Sequence, residues 1–184
     1  MGSAKQRALG IACLLVVFSA LAQGGLSNGT FNGIEPWTMV GWAGPNEDVS
    51  HTADGSGSAY VYMRLAEGEA LQQSVAVAPN TDYTLSWYST VETCTNSFGV
   101  ISIYGILDGS DFQIDSEAFY PGVSWTPHSF DFNTANYDQV KISYEPGTNV
   151  PNEYYRIDDV TLVPEPASLG LLALGLLGLM RRRS

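Results

Sequence analysis

Between residues 37 and 163 apolar side chains recur at every second position over short runs, and no segment sustains a 3.6-residue period. Eight such runs stand out: Trp37–Trp42, Ala59–Arg64, Leu71–Val77, Tyr83–Thr90, Phe98–Leu107, Trp125–Phe132, Gln139–Glu145 and Tyr154–Val163. The stretches between them, such as PNED, ADGSGS, APNTD, LDGSD, YPG and EPGTNVPN, are rich in Gly, Pro, Asn and Asp, the residues that favour turns. Strands without helical crossovers predict an all-β fold, an antiparallel jelly-roll β-sandwich. Successive side chains of a strand point to opposite faces. Tyr83, Leu85 and Trp87 therefore share a core face, which leaves Tyr88 outside with Thr84 and Ser86. By the same alternation Ile101, Ile103 and Leu107 point inward and Tyr104 outward, while Trp37, Trp42 and Trp125 read as core or rim anchors. If their strands are neighbours, Tyr88 and Tyr104 share one amphipathic face. Such a pair is either an aromatic platform for sugar rings or ordinary cross-strand packing on a half-wet sheet.

The two ends follow other patterns. Lys5 and Arg7 precede an apolar run from Ala8 to Leu21, and Ala20-Leu21-Ala22 places small residues at a cleavage position before Gln23. This order is that of a signal peptide, with its helix at residues 1–22. At the other end, VPEPASLGLLALGLLGLMRRRS holds a Pro-Glu-Pro motif, an uncharged run from Ala167 to Met180, and Arg181, Arg182 and Arg183. As a helix the 14-residue run reaches about 21 Å, short of the roughly 30 Å bilayer core, and it has no polar face to turn away from a protein interior. The arginines suit the cytoplasmic side of an inner membrane. The chain thus divides into a signal peptide (1–22), one β-sandwich domain (23–163) and a tail (164–184) with a short hydrophobic helix.

Charge narrows the partners. The 141 residues of the domain carry 18 acidic and three basic side chains (Arg64, Lys141, Arg156), a formal charge of −15. Such a surface repels phosphate backbones, so nucleic acid is excluded as a partner, and it welcomes cations. With Cys13 leaving in the signal, Cys94 is the sole cysteine of the mature chain, and no intrachain disulfide or Cys/His metal spacing exists. No nucleophile motif surrounds His51 or His128. Strand alternation sends Asp158 and Asp159 to opposite faces, which denies them the paired role of glycosidase carboxylates. The expectation is a protein without catalytic residues.

The tail resembles the PEP-CTERM sorting signal of Gram-negative bacteria, with its three parts in order. The resemblance implies that an exosortase recognises Pro164, Glu165 and Pro166, with Arg181, Arg182 and Arg183 as the stop, after export through the translocon. The domain, through LSNGTFN, LQQSVAVAPNTDYTLSWYS, WTPHSFDF and YYRIDDVTL, is similar to galactose-binding-like jelly rolls of the carbohydrate-binding modules. In that pattern an Asn-Gly-x-Phe strand opens the domain and an Ile-Asp-Asp-Val strand closes it. Such modules often hold a structural calcium ion between these strands. Asp158 matches the usual acidic ligand, and Asn32 stands where Glu is usual. The alternative is that Asp158 and Asp159 are edge acids near Arg156.

These readings converge on an exported protein, held transiently at the inner membrane by its tail and then sorted to the cell surface or matrix. Its domain is expected to bind polysaccharide through Tyr88 and Tyr104, with one structural calcium at Asn32 and Asp158. The alternatives are a purely structural matrix protein and a small extracellular hydrolase.

Overall fold

A computed structural model describes residues 26–41, 43–46, 50–51, 57–63, 69–91, 98–147 and 153–165. The signal peptide with Ala20 and Ala22, Trp42, Cys94, Pro166, the hydrophobic run and Arg181, Arg182 and Arg183 lie outside the described residues.

Ten strands form in chain order: β1 (Thr38–Val40), β2 (Gly44–Asn46), β3 (Ser58–Met63), β4 (Ala70–Ala76), β5 (Asp82–Val91), β6 (Gly99–Leu107), β7 (Ser110–Phe119), β8 (Thr126–Asn133), β9 (Gln139–Pro146) and β10 (Glu153–Pro164). They make two five-stranded sheets, β1-β4-β9-β6-β7 and β2-β3-β10-β5-β8, in which every strand pair is antiparallel. The chain switches sheet at most connections, as the expected jelly roll requires.

The eight sequence runs are all strands, with ends shifted by a few residues. The two additional strands have a weak apolar signal. β2 is three residues long, and β7 is an edge strand whose side chains are exposed from Ser110 to Ala118 except at Ile114. With no buried face there is no alternation to read. The β6–β7 hairpin was nonetheless encoded in Asp108-Gly109, which turns with φ of 50° and 75°, the positive pair that a two-residue type I′ turn demands. Leu107, expected in the core, is 52% exposed beside this turn.

The facing sides of the sheets supply the core. Leu71, Val75, Ile101, Ile103, Val140, Ile142 and Tyr144 come from the first sheet, and Ala59, Val61, Tyr83, Leu85, Trp87, Tyr155 and Ile157 from the second. Trp87 bridges the sheets, its ring perpendicular to Phe119 at 5.3 Å and to Tyr144 at 5.6 Å.

The opening Asn-Gly-x-Phe segment is a turn and not the expected strand. Asn28 and Phe31 take positive φ, Asn28 Nδ2 donates to the carbonyls of Gly33 and Glu35, and Trp37 Nε1 donates to the Asn28 carbonyl at 3.0 Å. Phe31 and Trp37 are thereby buried as a pair at 5.3 Å. The segment does lie along β10, as expected: Val160 N donates to the Gly29 carbonyl at 2.9 Å. A Cβ on Gly29 would run into the Val160 carbonyl, so only glycine fits.

Candidate functional site

The two tyrosines chosen from the sequence do point outward, but from opposite sides of the molecule. β5 lies in the second sheet and β6 in the first, so Tyr88 and Tyr104 do not share a face. Alternation sets a side chain's face within its own strand; which strands become neighbours depends on long-range pairing that the local pattern does not carry.

Around Tyr104 the outer face of the first sheet is a ladder of polar side chains. Ser74 pairs with Lys141, Lys141 with Tyr104, and Tyr104 with Gln113; one step along, Gln72 pairs with Ser143, Ser143 with Ser102, and Ser102 with Ser116. The intervening residues Ile103, Ile142 and Leu71 are in the core, so the ladder lies on the outer side, with Ser102 and Ser143 buried beneath their neighbours. Its members bind one another. Gln72 Nε2 donates to Ser143 Oγ at 3.0 Å, Ser143 Oγ to Glu145 Oε1 at 2.7 Å, and Tyr104 Oη to the same oxygen at 3.2 Å. Lys141 Nζ sits 4.8 Å from the Tyr104 ring centroid and pairs with Asp111. Partial burial and the negative charge of Glu145 push the Tyr104 hydroxyl above its ordinary pKa, which keeps it a donor. A half-buried aromatic ring thus stands among an amide, a carboxylate and an ammonium, with the buried Ser143 hydroxyl linking the amide to the carboxylate. This mixture of donors and acceptors suits a polyhydroxylated ligand. Glu145 was not singled out from the sequence, although the alternation of Val140, Ile142 and Tyr144 already places it outward with Lys141 and Ser143.

Tyr88 has a different setting. His51 stacks on it with ring centroids 3.7 Å apart and planes at 17°, and Trp125 meets His51 edge-on at 5.7 Å. Tyr88, Pro127, Ser86, Ser129, Thr161, Gly29 and Thr30 line a groove of about 710 Å³ on the outer face of the second sheet.

Asp158 and Asp159 depart from simple alternation. β10 carries one extra residue between the pairs Asp158–Tyr88 and Thr161–Ser86, and Asp159 has φ of 53°. This bulge turns both carboxylates toward one residue. Asp158 Oδ2 accepts the His51 backbone N–H at 2.8 Å, and Asp159 Oδ2 lies 2.6 Å from His51 Nδ1. Bulges re-aim side chains in this way.

The residues do not fit a calcium ion at Asn32 and Asp158. Both oxygens of the fully buried Asp158 face donors: Oδ2 accepts from Ser50 Oγ and His51 N, and Oδ1 from Asp159 N at 2.8 Å. Calcium needs six to eight oxygen ligands with free lone pairs. Asn32 is exposed, and its backbone N–H is held by Asn28 Oδ1 at 2.7 Å. Among the described residues no group of three His, Cys, Asp or Glu side chains is arranged to hold a metal.

His128 sits on the inner side of β8. Its Nε2 is 2.7 Å from Ser89 Oγ, its ring stacks on Trp87 at 5.3 Å, and burial lowers its pKa. Ser89 is fully buried. A hydroxyl sealed in this way is out of a substrate's reach, and the half-buried His128 holds it from the side of β8.

The closing strand runs further than expected. Pro164 is still paired with Tyr83 in the sheet, and Glu165 N, just past the strand end, donates to the Asp82 carbonyl at 2.9 Å, so the motif starts inside the fold.

Residues 162–184 match the PEP-CTERM protein-sorting motif. It marks an exported protein that an exosortase processes and that reaches the cell surface. No curated protein matches the chain. Among solved structures the chain is similar to a CBM4 module (19% identity, TM-score 0.55, covering 77% of this chain and 100% of that one). It is similar also to a family 16 carbohydrate-binding module (20%, 0.55, 74% and 97%). A third is a CBM61 module solved in complex with β-1,4-galactotriose (16%, 0.56, 78% and 100%). At these identities the likeness establishes the fold alone, a jelly roll like that of these modules.

Proposed function

We propose that this exported, surface-sorted domain is a non-catalytic module that binds a neutral polysaccharide of the cell envelope or matrix through the outer face of β6 and β9. The observation that carries this reading is the half-buried set Tyr104, Glu145 and Gln72, tied together through the buried Ser143 hydroxyl into a polar and aromatic patch on a rigid sheet whose other side is core. Sugar rings present C–H faces to aromatic rings and hydroxyls to paired donors and acceptors, and this patch offers both. A preformed patch also loses little conformational entropy on binding.

The structural relatives support the ligand class. One was solved with β-1,4-galactotriose, and a CBM22 domain from Paenibacillus barcinonensis, 13% identical with a TM-score of 0.55, is described as xylan-binding. The charge of −15 on residues 23–163 favours neutral over uronic-acid or sulfated chains. The non-catalytic part of the proposal is supported by the full burial of Ser89, the hydroxyl that His128 bonds. Retardation on gels containing xylan or galactan, weakened in Tyr104→Ala, tests the reading. No retardation on any neutral polysaccharide would favour a purely structural matrix protein.

A further inference from the structure

The outer face of the second sheet carries a second arrangement suited to sugar. Thr161 of β10 pairs with Ser86 of β5, and Ser86 with Ser129 of β8. Three hydroxyls therefore run across three adjacent strands, and strand spacing puts the outer two roughly 10 Å apart. They belong to the 710 Å³ groove, bounded by the Gly29-Thr30 turn and by Tyr88 and Asp159.

Neighbouring rows show what is unusual here. Thr84 Oγ1 donates to Asp131 at 2.8 Å, and Thr90 Oγ1 donates to the Gly122 carbonyl at 3.2 Å. Those outward hydroxyls of β5 are used within the fold. Among the described residues, nothing hydrogen-bonds the hydroxyls of Ser86, Ser129 or Thr161. Each can donate and accept, and a neutral hydroxyl costs far less to desolvate than a charge.

The aromatic end of the groove is held from behind. His51 lies flat on Tyr88, and the two aspartates of the bulge hold His51 by its backbone N–H and by its ring. A ring clamped in this way has little rotamer freedom to lose on binding.

We infer that this groove is a second carbohydrate site, on the opposite side of the sandwich from Tyr104, which takes a short stretch of a neutral glycan along the Thr161–Ser86–Ser129 row with Tyr88 as its aromatic wall. The ligand class rests on the function proposed above; the place and the residues do not. With one site on each side, a single domain joins two glycan chains, which suits a matrix protein. Asp159 at the wall disfavours a uronic acid.

The test is a titration of the 15N-labelled protein with β-1,4-galactotriose, with xylotriose and with a trigalacturonate, following backbone amides. A neutral trisaccharide is expected to move the amides of Ser86, Tyr88, Ser129 and Thr161, and to move them equally in Tyr104→Ala. The double variant Ser86→Val, Thr161→Val keeps strand-forming residues and is expected to weaken the groove response about tenfold or more, the scale of one or two lost hydrogen bonds, with the melting temperature as the check on folding. Ser129→Val, at an exposed position, is the second variant should the double variant not fold. Still groove amides with both neutral sugars at millimolar concentration overturn the inference, as does loss of the groove response in Tyr104→Ala. Equal response to trigalacturonate overturns its neutral-ligand part. Groove amides that move while Ser102, Lys141 and Ser143 stay still would sustain this site and refute the one proposed on β6 and β9.

Discussion

His51 lies flat on Tyr88, with ring centroids 3.7 Å apart, because two aspartates adjacent in sequence hold it there. The bulge in β10 makes this possible. Without the extra residue, Asp158 and Asp159 would point to opposite faces and only one could reach His51.

Asp158 is consequently a structural acceptor, and replacing it has a defined cost. Asp158→Ala leaves the His51 and Asp159 N–H groups and the Ser50 hydroxyl without their acceptor. A loss of about 1–3 kcal/mol, the scale for a buried donor left unpaired, is expected in urea unfolding. Because these donors already occupy the carboxylate, melting in chelator and in millimolar calcium should coincide. A calcium-dependent rise that Asp158→Ala abolishes would restore the metal site.

Two core tyrosines at the sheet interface should respond in opposite ways to loss of their hydroxyls. Tyr155 Oη donates to the Glu145 carbonyl at 3.0 Å, whereas the buried Tyr144 Oη has no hydrogen-bond partner among the described residues. Tyr155→Phe is expected to cost about 0.5–1.5 kcal/mol, and Tyr144→Phe to be neutral or stabilising. Burial raises both pKa values well above the ordinary 10.0. The unfolded chain ionises first, so stability is intact below about pH 10 and is lost as pH climbs toward the folded values. Each Phe variant should reduce that alkaline loss in denaturant titrations.

His128 gives the acid-side counterpart. Burial lowers its pKa from 6.5, so the unfolded chain takes up a proton that the folded chain refuses. Its contribution is level above about pH 6.5 and declines as pH falls from there toward the folded value. His128→Gln should narrow the difference in unfolding free energy between about pH 7.5 and pH 5 relative to the unaltered protein. An unchanged difference would mean that this ring is not the group responsible.

The start of the sorting motif is part of the fold, so truncation should be sensitive to its position. A chain ending at Glu165 retains the pairs Thr161–Ser86 through Pro164–Tyr83; one ending at Val160 loses all four. The first should melt like the domain in the full chain, and the second at a clearly lower temperature. Mass spectrometry of the surface protein should show a chain starting near Gln23 and ending close to Pro164-Glu165-Pro166. Surface protein that still ends in MRRRS contradicts processing.

Buried alternation was the legible part of this fold. Tyr83, Leu85 and Trp87, and Ile101 and Ile103, are core as their spacing indicates, and Tyr88 and Tyr104 face outward. The pairing of distant strands was not legible, so the two tyrosines were joined on one face and Glu145 was missed as a partner of Tyr104. Nor could alternation foresee the bulge, since Asp159 at positive φ leaves no mark in the hydrophobic pattern. His51 stood in a polar loop, and only the fold brings it onto Tyr88.

The most direct test of the central claim is isothermal titration of β-1,4-galactotriose and xylotriose into the unaltered protein, Tyr104→Ala and Glu145→Gln. Removing an aromatic contact should weaken binding at the β6–β9 face by roughly 1–3 kcal/mol. Glu145→Gln should weaken it less, because the amide oxygen still accepts from Ser143 and Tyr104. Unchanged heats and affinities in Tyr104→Ala, with the variant folded, would contradict a glycan-binding role for this face.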